Sequence, residues 1–332
     1  MTRKKAMMIG LLLGALGLAL TGCGLSVGAE EGAPAPTEKA ASAQKPALPS
    51  QLKTNGEGVP LLRVYLVDEE EIREMDLETY LLGVVAGEMK NDWPLEALKA
   101  QAILARTFVL KFCGEKESKY PGADISTDIE EAQAYDDTGV NERVEQAVRQ
   151  TRGQVLSFRG ELPYAWFHAH SGGATERAVE GLNFDGPEPG YTKVTQGRES
   201  SLAPEEAQAW KAIFTPQELI AAANKVSGKD LGALSSLEIG RKSESGRAVT
   251  LRVNGENVSA PEMRLALGST KMRSTLLTDL SLTDGQVVMA GKGYGHGVGM
   301  PQWGAYGLAE EGKTAADIVK NYFQDVTVET LW

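Results

Sequence analysis

The stretch LETYLLGVVAGEM, residues 77–89, carries an acidic residue at an apolar position of a predicted helix. Large apolar residues recur along it at helical spacing, at Leu77, Leu81 and Val84. Glu88 falls one further step along the same face. A carboxylate on a buried face must be paired, solvated by a cavity or kept protonated. Glu88 is therefore the candidate catalytic residue. The alternative is a frayed helix end beside Gly87, where the carboxylate reaches water.

The segments on either side of this helix carry strand and helix patterns in separate groups. Apolar residues over 61–67 predict a strand, and Trp93-Pro94 opens a second helix that runs to about Phe112. The remaining predictions are helices over 141–151, 202–226 and 314–322, a hairpin of strands over 154–158 and 163–170, and strands over 236–258. Because the elements are mixed and segregated, the sequence predicts an α+β fold in which the helix that carries Glu88 packs with antiparallel sheet.

The N-terminal residues have the pattern of an export signal. Three basic residues precede an apolar core over 7–20, and Leu20-Thr21-Gly22-Cys23 resembles a bacterial lipobox. Residues 1–22 are therefore predicted to be a signal peptide and Cys23 the lipidated N-terminus. An uncleaved transmembrane anchor over 6–29 is the alternative. Either prediction puts the folded part on the outer face of the cytoplasmic membrane.

The composition of the next segment predicts a tether. Residues 23–58 contain few large apolar groups, so they are predicted to be disordered, and a domain of one or two subdomains is predicted over 59–332. With Cys23 assigned to lipid, only Cys113 is left, and we interpret it as a small buried hydrophobe. The net charge of −11 argues against a nucleic-acid-binding protein, because phosphate contacts need a basic surface.

Glycine and aromatic residues are concentrated over 291–307, around Tyr294, His296 and Trp303. Rings of this kind pack on the C–H groups of sugars, and exposed backbone amides bond sugar hydroxyls. The pattern favours a sugar-binding loop. The alternative is a tight structural loop before the C-terminal helix.

Three separated blocks of this chain form a recognisable set. They are YLLGVVAGEM (80–89) with WP (93–94), EALKAQA (96–102) and ART (105–107); FH (167–168) with SGGATE (171–176); and GHGVGM (295–300) with QWGA (302–305). Together they resemble the stage II sporulation protein D family, which also includes amidase-enhancer proteins. The similarity spans roughly residues 60–332, in the order found in the family.

The resemblance implies a lytic transglycosylase that acts on peptidoglycan glycan strands during endospore formation and engulfment, with a 1,6-anhydro-muramic product. In the family, the Glu at the position of Glu88 is the catalytic acid. The resemblance also implies a cell-wall amidase or other hydrolase and an engulfment membrane complex as partners, and no cofactor is expected. A single carboxylate is enough for this chemistry, because the muramic acid C6 hydroxyl replaces the attacking water or second carboxylate of an ordinary glycosidase. An apolar pocket would raise the pKa of Glu88 and keep it protonated.

Residues of the matched blocks and their surroundings are expected to line the glycan groove: Gln101, Arg106, His168, Ser171, Gly172, Tyr191, Tyr294, His296, Gln302 and Trp303. Gln101 and Arg106 would reach a lactyl carboxylate or an N-acetyl group. An internal salt bridge explains Arg106 equally well.

Two competing interpretations remain open. His168 and His170 lie on one face of a predicted strand, and with His296 they would form a three-His zinc site. No acidic residue that would orient these ligands is identifiable, so no metal is predicted. Some family members bind zinc through a Cys and His cluster, but the matching segment here, residues 125–135, contains neither residue type. The other interpretation is a non-catalytic glycan-binding amidase enhancer, in which Glu88 only accepts hydrogen bonds from sugar hydroxyls.

Overall fold

The computed structural model describes residues 45–332, so the predicted signal peptide and Cys23 lie outside the described residues. The helices are α1 (Leu77–Glu88), α2 (Leu95–Glu115), α3 (Glu142–Gln150), α4 (Ala178–Leu182), α5 (Glu205–Gln208), α6 (Pro216–Ser227), α7 (Ala260–Ala266), α8 (Gln302–Glu310) and α9 (Ala315–Tyr322). A single 3-10 turn at Asp137–Gly139 accompanies them in this part of the chain. Within residues 45–332, no helix is both long enough and apolar enough to cross a bilayer.

The strands are short and form several small sheets. They are β1 (Leu61–Leu66), β2 (Glu71–Asp76), β3 (Ile125–Ser126), β4 (Gln154–Phe158), β5 (Phe167–His168), β6 (Ala209–Phe214), β7 (Leu237–Ile239), β8 (Thr250–Val253), β9 (Glu256–Ser259), β10 (Leu277–Thr283), β11 (Gln286–Lys292), β12 (Met300–Pro301) and β13 (Val326–Thr330). The sheet orders are β2-β1-β3, β10-β11-β6, β12-β5, β13-β4 and β7-β8-β9. Pairing is antiparallel except for β1 with β3 and β5 with β12. The predicted α+β class is confirmed.

Two hydrophobic cores divide the described residues. The larger core takes its side chains from residues 59–207 and 298–326, with α2 at its centre. The smaller core takes its side chains from residues 210–289. The chain therefore leaves the first core, builds the second, and returns through β12 and β13 to pair with β5 and β4.

The predicted hairpin over 154–158 and 163–170 is wrong. The turn after β4 forms, with Phe158 bridged to Glu161, but β4 pairs along its length with β13. Residues 163–166 do not extend a strand, because their aromatic rings pack together: Tyr164 stacks on Trp166 with ring centroids 5.1 Å apart. The Tyr164 N–H donates to the hydroxyl of Tyr191 at 2.9 Å instead of joining a ladder.

The predicted helix over 202–226 is interrupted by a strand. Residues 209–214 form β6, which lies beside β11 and buries Trp210 and Phe214 on one face. A capping box at Thr215 and Glu218 then begins α6. Cross-strand pairing across the second core thus overrides the helical pattern.

The folded part begins earlier than residue 59. Leu48 and Leu52 pack against the larger core, and the Lys45 ammonium donates to the Thr330 carbonyl at 2.8 Å. Apolar contacts between these few side chains and the core stabilise an extended segment that its composition alone would not order. Lys45, Leu48 and Leu52, which the composition assigned to the tether, therefore contact the folded domain.

Candidate functional site

Glu88 is the last residue of α1, and its side chain lies at the wall of a cleft. Asp76 caps the start of the helix, its carboxylate accepting from the Thr79 N–H at 2.9 Å, and the backbone becomes extended at Met89. Glu88 is 5% exposed. The cleft has a volume of about 830 Å³ and is lined by residues 66–69, 86–92, 127–129 and 134–139. The sequence placed Glu88 on the apolar face of its helix, and in the structure this face borders a cavity at Glu88.

Both carboxyl oxygens of Glu88 are held by hydrogen bonds from distant parts of the chain. The Ala134 N–H donates to Oε1 at 2.7 Å. The Gln302 Nε2 donates to Oε2 at 3.1 Å and also to the Glu88 carbonyl oxygen at 3.1 Å. Gln302 is the first residue of α8 and is 2% exposed. The carboxyl group is therefore oriented before any ligand arrives.

Burial changes the acidity of this carboxyl group. It raises the pKa of Glu88 from 4.5 to about 7, while the hydrogen bonds from Ala134 and Gln302 act in the opposite direction. Burial dominates because the charged form loses more hydration than two hydrogen bonds return. Glu88 therefore holds its proton in a large fraction of molecules at neutral pH.

Two glycines of α1 let the opposite wall come close to Glu88. The Asp136 N–H donates to the Gly83 carbonyl at 2.9 Å. A Cβ at Gly87 would lie 2.7 Å from the carbonyl carbon of Ala134, and a Cβ at Gly83 would collide with the Tyr135 ring. Gly87, beside which the sequence allowed a frayed helix end, therefore provides room for the backbone that binds Glu88.

The cleft is strongly acidic. Besides Glu88, its lining carries six acidic residues and one basic residue, namely Asp68, Glu69, Asp92, Asp128, Asp136, Asp137 and Lys90. Two of these acids are paired at the rim: Glu69 with Arg73, and Asp128 with Lys119 at 2.7 Å. The remaining acids give the cleft a negative potential.

Of the predicted groove residues, Gln302 is the one that contacts Glu88. Arg106 is fully buried and faces away from the cleft: its Nε donates to Glu78 Oε1 at 3.0 Å and its Nη2 to Glu78 Oε2 at 2.7 Å. Its Nη1 donates to the Gln154 carbonyl at 2.9 Å. The assignment of Arg106 to substrate binding is corrected to an internal salt bridge, because Glu78 on α1 offers a bidentate partner.

Three further predicted residues are part of the larger core and do not line the cleft. Gln101 is fully buried in α2, and its amide atoms have no hydrogen-bond partner among the described residues. Trp303 packs on Trp93, with ring centroids 4.4 Å apart. Tyr191 lies in an aromatic cluster with Phe158 and accepts the Tyr164 N–H. The large apolar rings of Trp303 and Tyr191 are used for packing in this core.

The remaining predicted residues lie where the two cores meet. The Ser171 N–H donates to Glu199 Oε1 at 2.7 Å, and the Ser171 carbonyl accepts from Arg247, which comes from the second core's side. The Gly172 N–H donates to His170 Nδ1 at 2.9 Å. The backbone of Tyr294 pairs with that of His170. This group joins the two parts of the fold outside the Glu88 cleft.

The neutral rings of His168 and His296 carry their proton on different nitrogens, and hydrogen bonds with the Val298 backbone determine which nitrogen is protonated in each. His168 Nδ1 donates to the Val298 carbonyl at 3.1 Å, whereas His296 Nδ1 accepts from the Val298 N–H at 3.0 Å. Burial lowers the pKa of His296 to about 3 and lowers that of His168 well below its usual range, with neighbouring charged groups acting in the same direction. Both rings are neutral at physiological pH.

The three His considered as an alternative zinc site all have a hydrogen-bonded Nδ1. The partner is Val298 for His168 and His296 and Gly172 for His170, which leaves Nε2 as the nitrogen that could bind a metal. Across residues 45–332, no group of three or more His, Cys, Asp and Glu side chains is arranged to hold a metal ion.

Two family models match separate parts of this chain, and each part corresponds to one of the two hydrophobic cores. A family model described as Stage II sporulation protein matches residues 67–158, the part that contains Glu88 and the wall of its cleft. A second family model, described as a domain of unknown function, matches residues 195–299 and thus covers the smaller core.

Whole-chain relatives extend this similarity. An uncharacterized protein of Brachyspira hyodysenteriae is 30% identical over 259 residues, which cover 77% of this chain and 67% of that protein. Stage II sporulation protein D of Bacillus amyloliquefaciens is 29% identical over 291 residues, covering 83% of this chain and 80% of that protein. The amidase enhancer of Bacillus subtilis is 28% identical over 291 residues, covering 75% of this chain and 40% of the enhancer.

Proposed function

This chain belongs to the stage II sporulation protein D family, and from that membership and the Glu88 site we propose that it is a lytic transglycosylase that cleaves peptidoglycan glycan strands. The observation that carries the proposal is the state of Glu88: a shielded carboxyl group with a pKa of about 7 at the wall of a cleft of about 830 Å³. A general acid that works at neutral pH needs such a pKa, because it must be protonated and still able to release the proton.

The proposed reaction uses Glu88 twice. Protonated Glu88 first donates its proton to the glycosidic oxygen while the bond from that oxygen to C1 of muramic acid breaks. The Glu88 carboxylate then takes the proton of the C6 hydroxyl as the C6 oxygen bonds to C1 and closes the 1,6-anhydro ring. No water is consumed and Glu88 ends protonated, so a second carboxylate is unnecessary.

We propose different roles for the two oxygens of Glu88, and the lengths of their hydrogen bonds support this proposal. The Ala134 N–H holds Oε1 at 2.7 Å, and the bond from Gln302 to Oε2 is longer, at 3.1 Å. A protonated carboxyl group keeps its hydrogen on the oxygen that receives the weaker donor. We assign the transferred proton to Oε2.

Digestion of purified glycan strands tests the proposal. The native protein is expected to produce strands with anhydro-muramic ends, identified by mass spectrometry. Glu88→Gln is expected to remove this product while strand binding persists, because the amide is not acidic enough to protonate the glycosidic oxygen. Glu130→Gln, at an exposed position that is not part of the cleft lining, is the matched control and retains activity. Product release by Glu88→Gln at the native rate would refute the catalytic assignment.

Similarity to the amidase enhancer supports a second candidate function, a glycan-binding module that stimulates an amidase without cleaving sugar bonds. In that case the purified chain would produce no anhydro ends, would increase the rate of an amidase on the same wall, and would do so equally with Glu88→Gln. The two functions thus differ in the product formed and in the effect of one substitution.

We also propose that the protein acts at the outer face of the cytoplasmic membrane, anchored by lipid on Cys23, which lies outside the described residues. Labelled fatty acid should enter the native chain and not a Cys23→Ala variant. A labelled Cys23→Ala variant would contradict the lipid anchor. The proposed partners are a cell-wall amidase or other hydrolase and an engulfment membrane complex, which crosslinking in intact sporulating cells would recover with the chain.

A further inference from the structure

The backbone that binds Glu88 belongs to a segment with few regular hydrogen bonds of its own. Residues 128–136, called the wall segment below, contain a turn in which the Glu131 and Ala132 N–H groups donate to the Asp128 carbonyl at 2.9 and 3.0 Å. The segment then passes along α1, and Ala134 donates to Glu88. Something other than secondary structure must hold such a segment in place.

Glu131 ties the wall segment to the chain that follows α2. Its carboxylate accepts from the Ser118 hydroxyl at 3.0 Å and from the Lys119 N–H at 2.5 Å. A backbone N–H is a donor that is already fixed in space, so bonding it costs little side-chain entropy. The neighbouring pair of Asp128 and Lys119 is weaker support, because the Lys119 side chain is 46% exposed.

Glu131 is close in sequence to Ala134, the residue that binds Glu88, and the residues between them are buried. Only Ala132 and Gln133 separate Glu131 from Ala134, and both are buried, at 1% exposure each. Buried, close-packed residues pass a displacement on to their neighbours instead of absorbing it. Movement of Glu131 would therefore move the Ala134 N–H relative to the Glu88 carboxyl.

We propose that Glu131 is a positioning residue for Glu88: its bonds to Ser118 and Lys119 hold the wall segment at the distance where the Ala134 N–H meets the Glu88 carboxyl. The kinetic part of this inference depends on the proposed glycan cleavage. The structural part does not depend on it.

The direct test is a titration of Glu88 by NMR in protein with ¹³C-labelled Glu carboxyl groups, where the Glu88 signal is identified by its absence in Glu88→Gln. In Glu131→Ala the Ala134 hydrogen bond loosens, so the charged form of Glu88 loses support and its pKa rises by about one unit. Glu131→Gln keeps one acceptor oxygen and is expected to give a smaller rise. Glu130→Ala, which removes an exposed side chain beside the anchor, is the matched control and leaves the pKa unchanged.

Kinetics provide a second readout. Glu131→Ala is expected to lower kcat about tenfold with little change in KM, because a displaced Glu88 affects the reaction more than the binding of the strand. If Glu131→Ala does not fold, Ser118→Ala removes one of the two bonds and should raise the pKa of Glu88 in the same direction. A folded Glu131→Ala protein with an unchanged pKa of Glu88 would overturn the inference. Because the titration needs no cleavage, an inactive native protein would refute the proposed function and leave this test valid.

Discussion

Replacing Glu88 by Gln should make the folded protein more stable at alkaline pH. The pKa of Glu88 is raised from 4.5 to about 7 by burial, so the folded state keeps a proton that the unfolded chain loses as pH rises through 4.5. The contribution of Glu88 to the free energy of unfolding therefore decreases between about pH 4.5 and pH 7 and is constant above that range. The Gln variant has no such proton and lacks this contribution, so the difference between the two proteins reports it.

The size of the effect follows from the pKa difference. A shift from 4.5 to about 7 corresponds to roughly 3 kcal/mol. One cost opposes it: the amide nitrogen of the introduced Gln side chain would face the Nε2 of Gln302, so a hydrogen bond worth about 1 kcal/mol is lost at every pH. The variant should thus be less stable than the native protein by about 1 kcal/mol at pH 4.5 and more stable by about 2 kcal/mol at pH 8.

Urea unfolding of both proteins at several pH values between about 4.5 and 8.5 measures this difference. Glu130→Gln, at an exposed position, serves as the control and should track the native protein throughout. A stability difference between Glu88→Gln and the native protein that does not change with pH would refute the reasoning. It would mean that the folded and unfolded states release this proton at the same pH.

Three other predictions follow from the described contacts. Gly87→Ala should destabilise the protein by about 1–3 kcal/mol and reduce glycan cleavage, because the new Cβ meets the Ala134 backbone. Gly114→Ala, where the nearest atom to a new Cβ is 3.7 Å away, should be neutral or stabilising in the same denaturation assay, and equal losses at both sites would contradict this. Arg106→Ala should cost about 3–5 kcal/mol of stability, because the largely buried Glu78 loses its cation and keeps the hydrogen bonds from the Gly153 N–H and Trp332 Nε1. Loss of the exposed Arg63 pair should cost less than about 1 kcal/mol, and small losses of stability in both unfolding experiments would contradict the buried pair. Glycan strands with free lactyl carboxylates should bind the Glu88→Gln protein more tightly as the salt concentration is raised, because salt screens their repulsion from the acidic cleft. Calorimetry measures this affinity, and weaker binding at high salt would contradict the prediction.

The position of Glu88 was predictable because it depends on short-range features. Helical spacing, a cap at Asp76 and an acid on the apolar face all lie within residues 76–88. The two residues that donate hydrogen bonds to Glu88 could not be predicted as its partners. Gln302 lies 214 residues away, and the sequence marked it as a substrate contact, not as a partner of Glu88. Ala134 contributes a backbone N–H, which no side-chain pattern reveals.

The errors share a physical cause, since each concerns a choice of partner between distant segments. The local pattern of β4 is compatible with a hairpin, but its partner is β13, after residues that build a second core. Arg106 has the same pattern whether it faces solvent, a ligand or Glu78, and packing of α1 on α2 decides among them. His168 and His296 were expected to contact sugar, and their burial against Val298 reflects contacts that only the assembled fold creates.

The separation of Glu88 from Gln302 also has a consequence for the growing chain. During synthesis Glu88 appears long before α8 and β13, which follow the second core. Until α8 is in place, the carboxyl group lacks the hydrogen bond from Gln302. A nascent chain that has not yet reached residue 302 therefore has one of the two described donors to this carboxyl group, the Ala134 N–H, and the second is added in the last stage of synthesis.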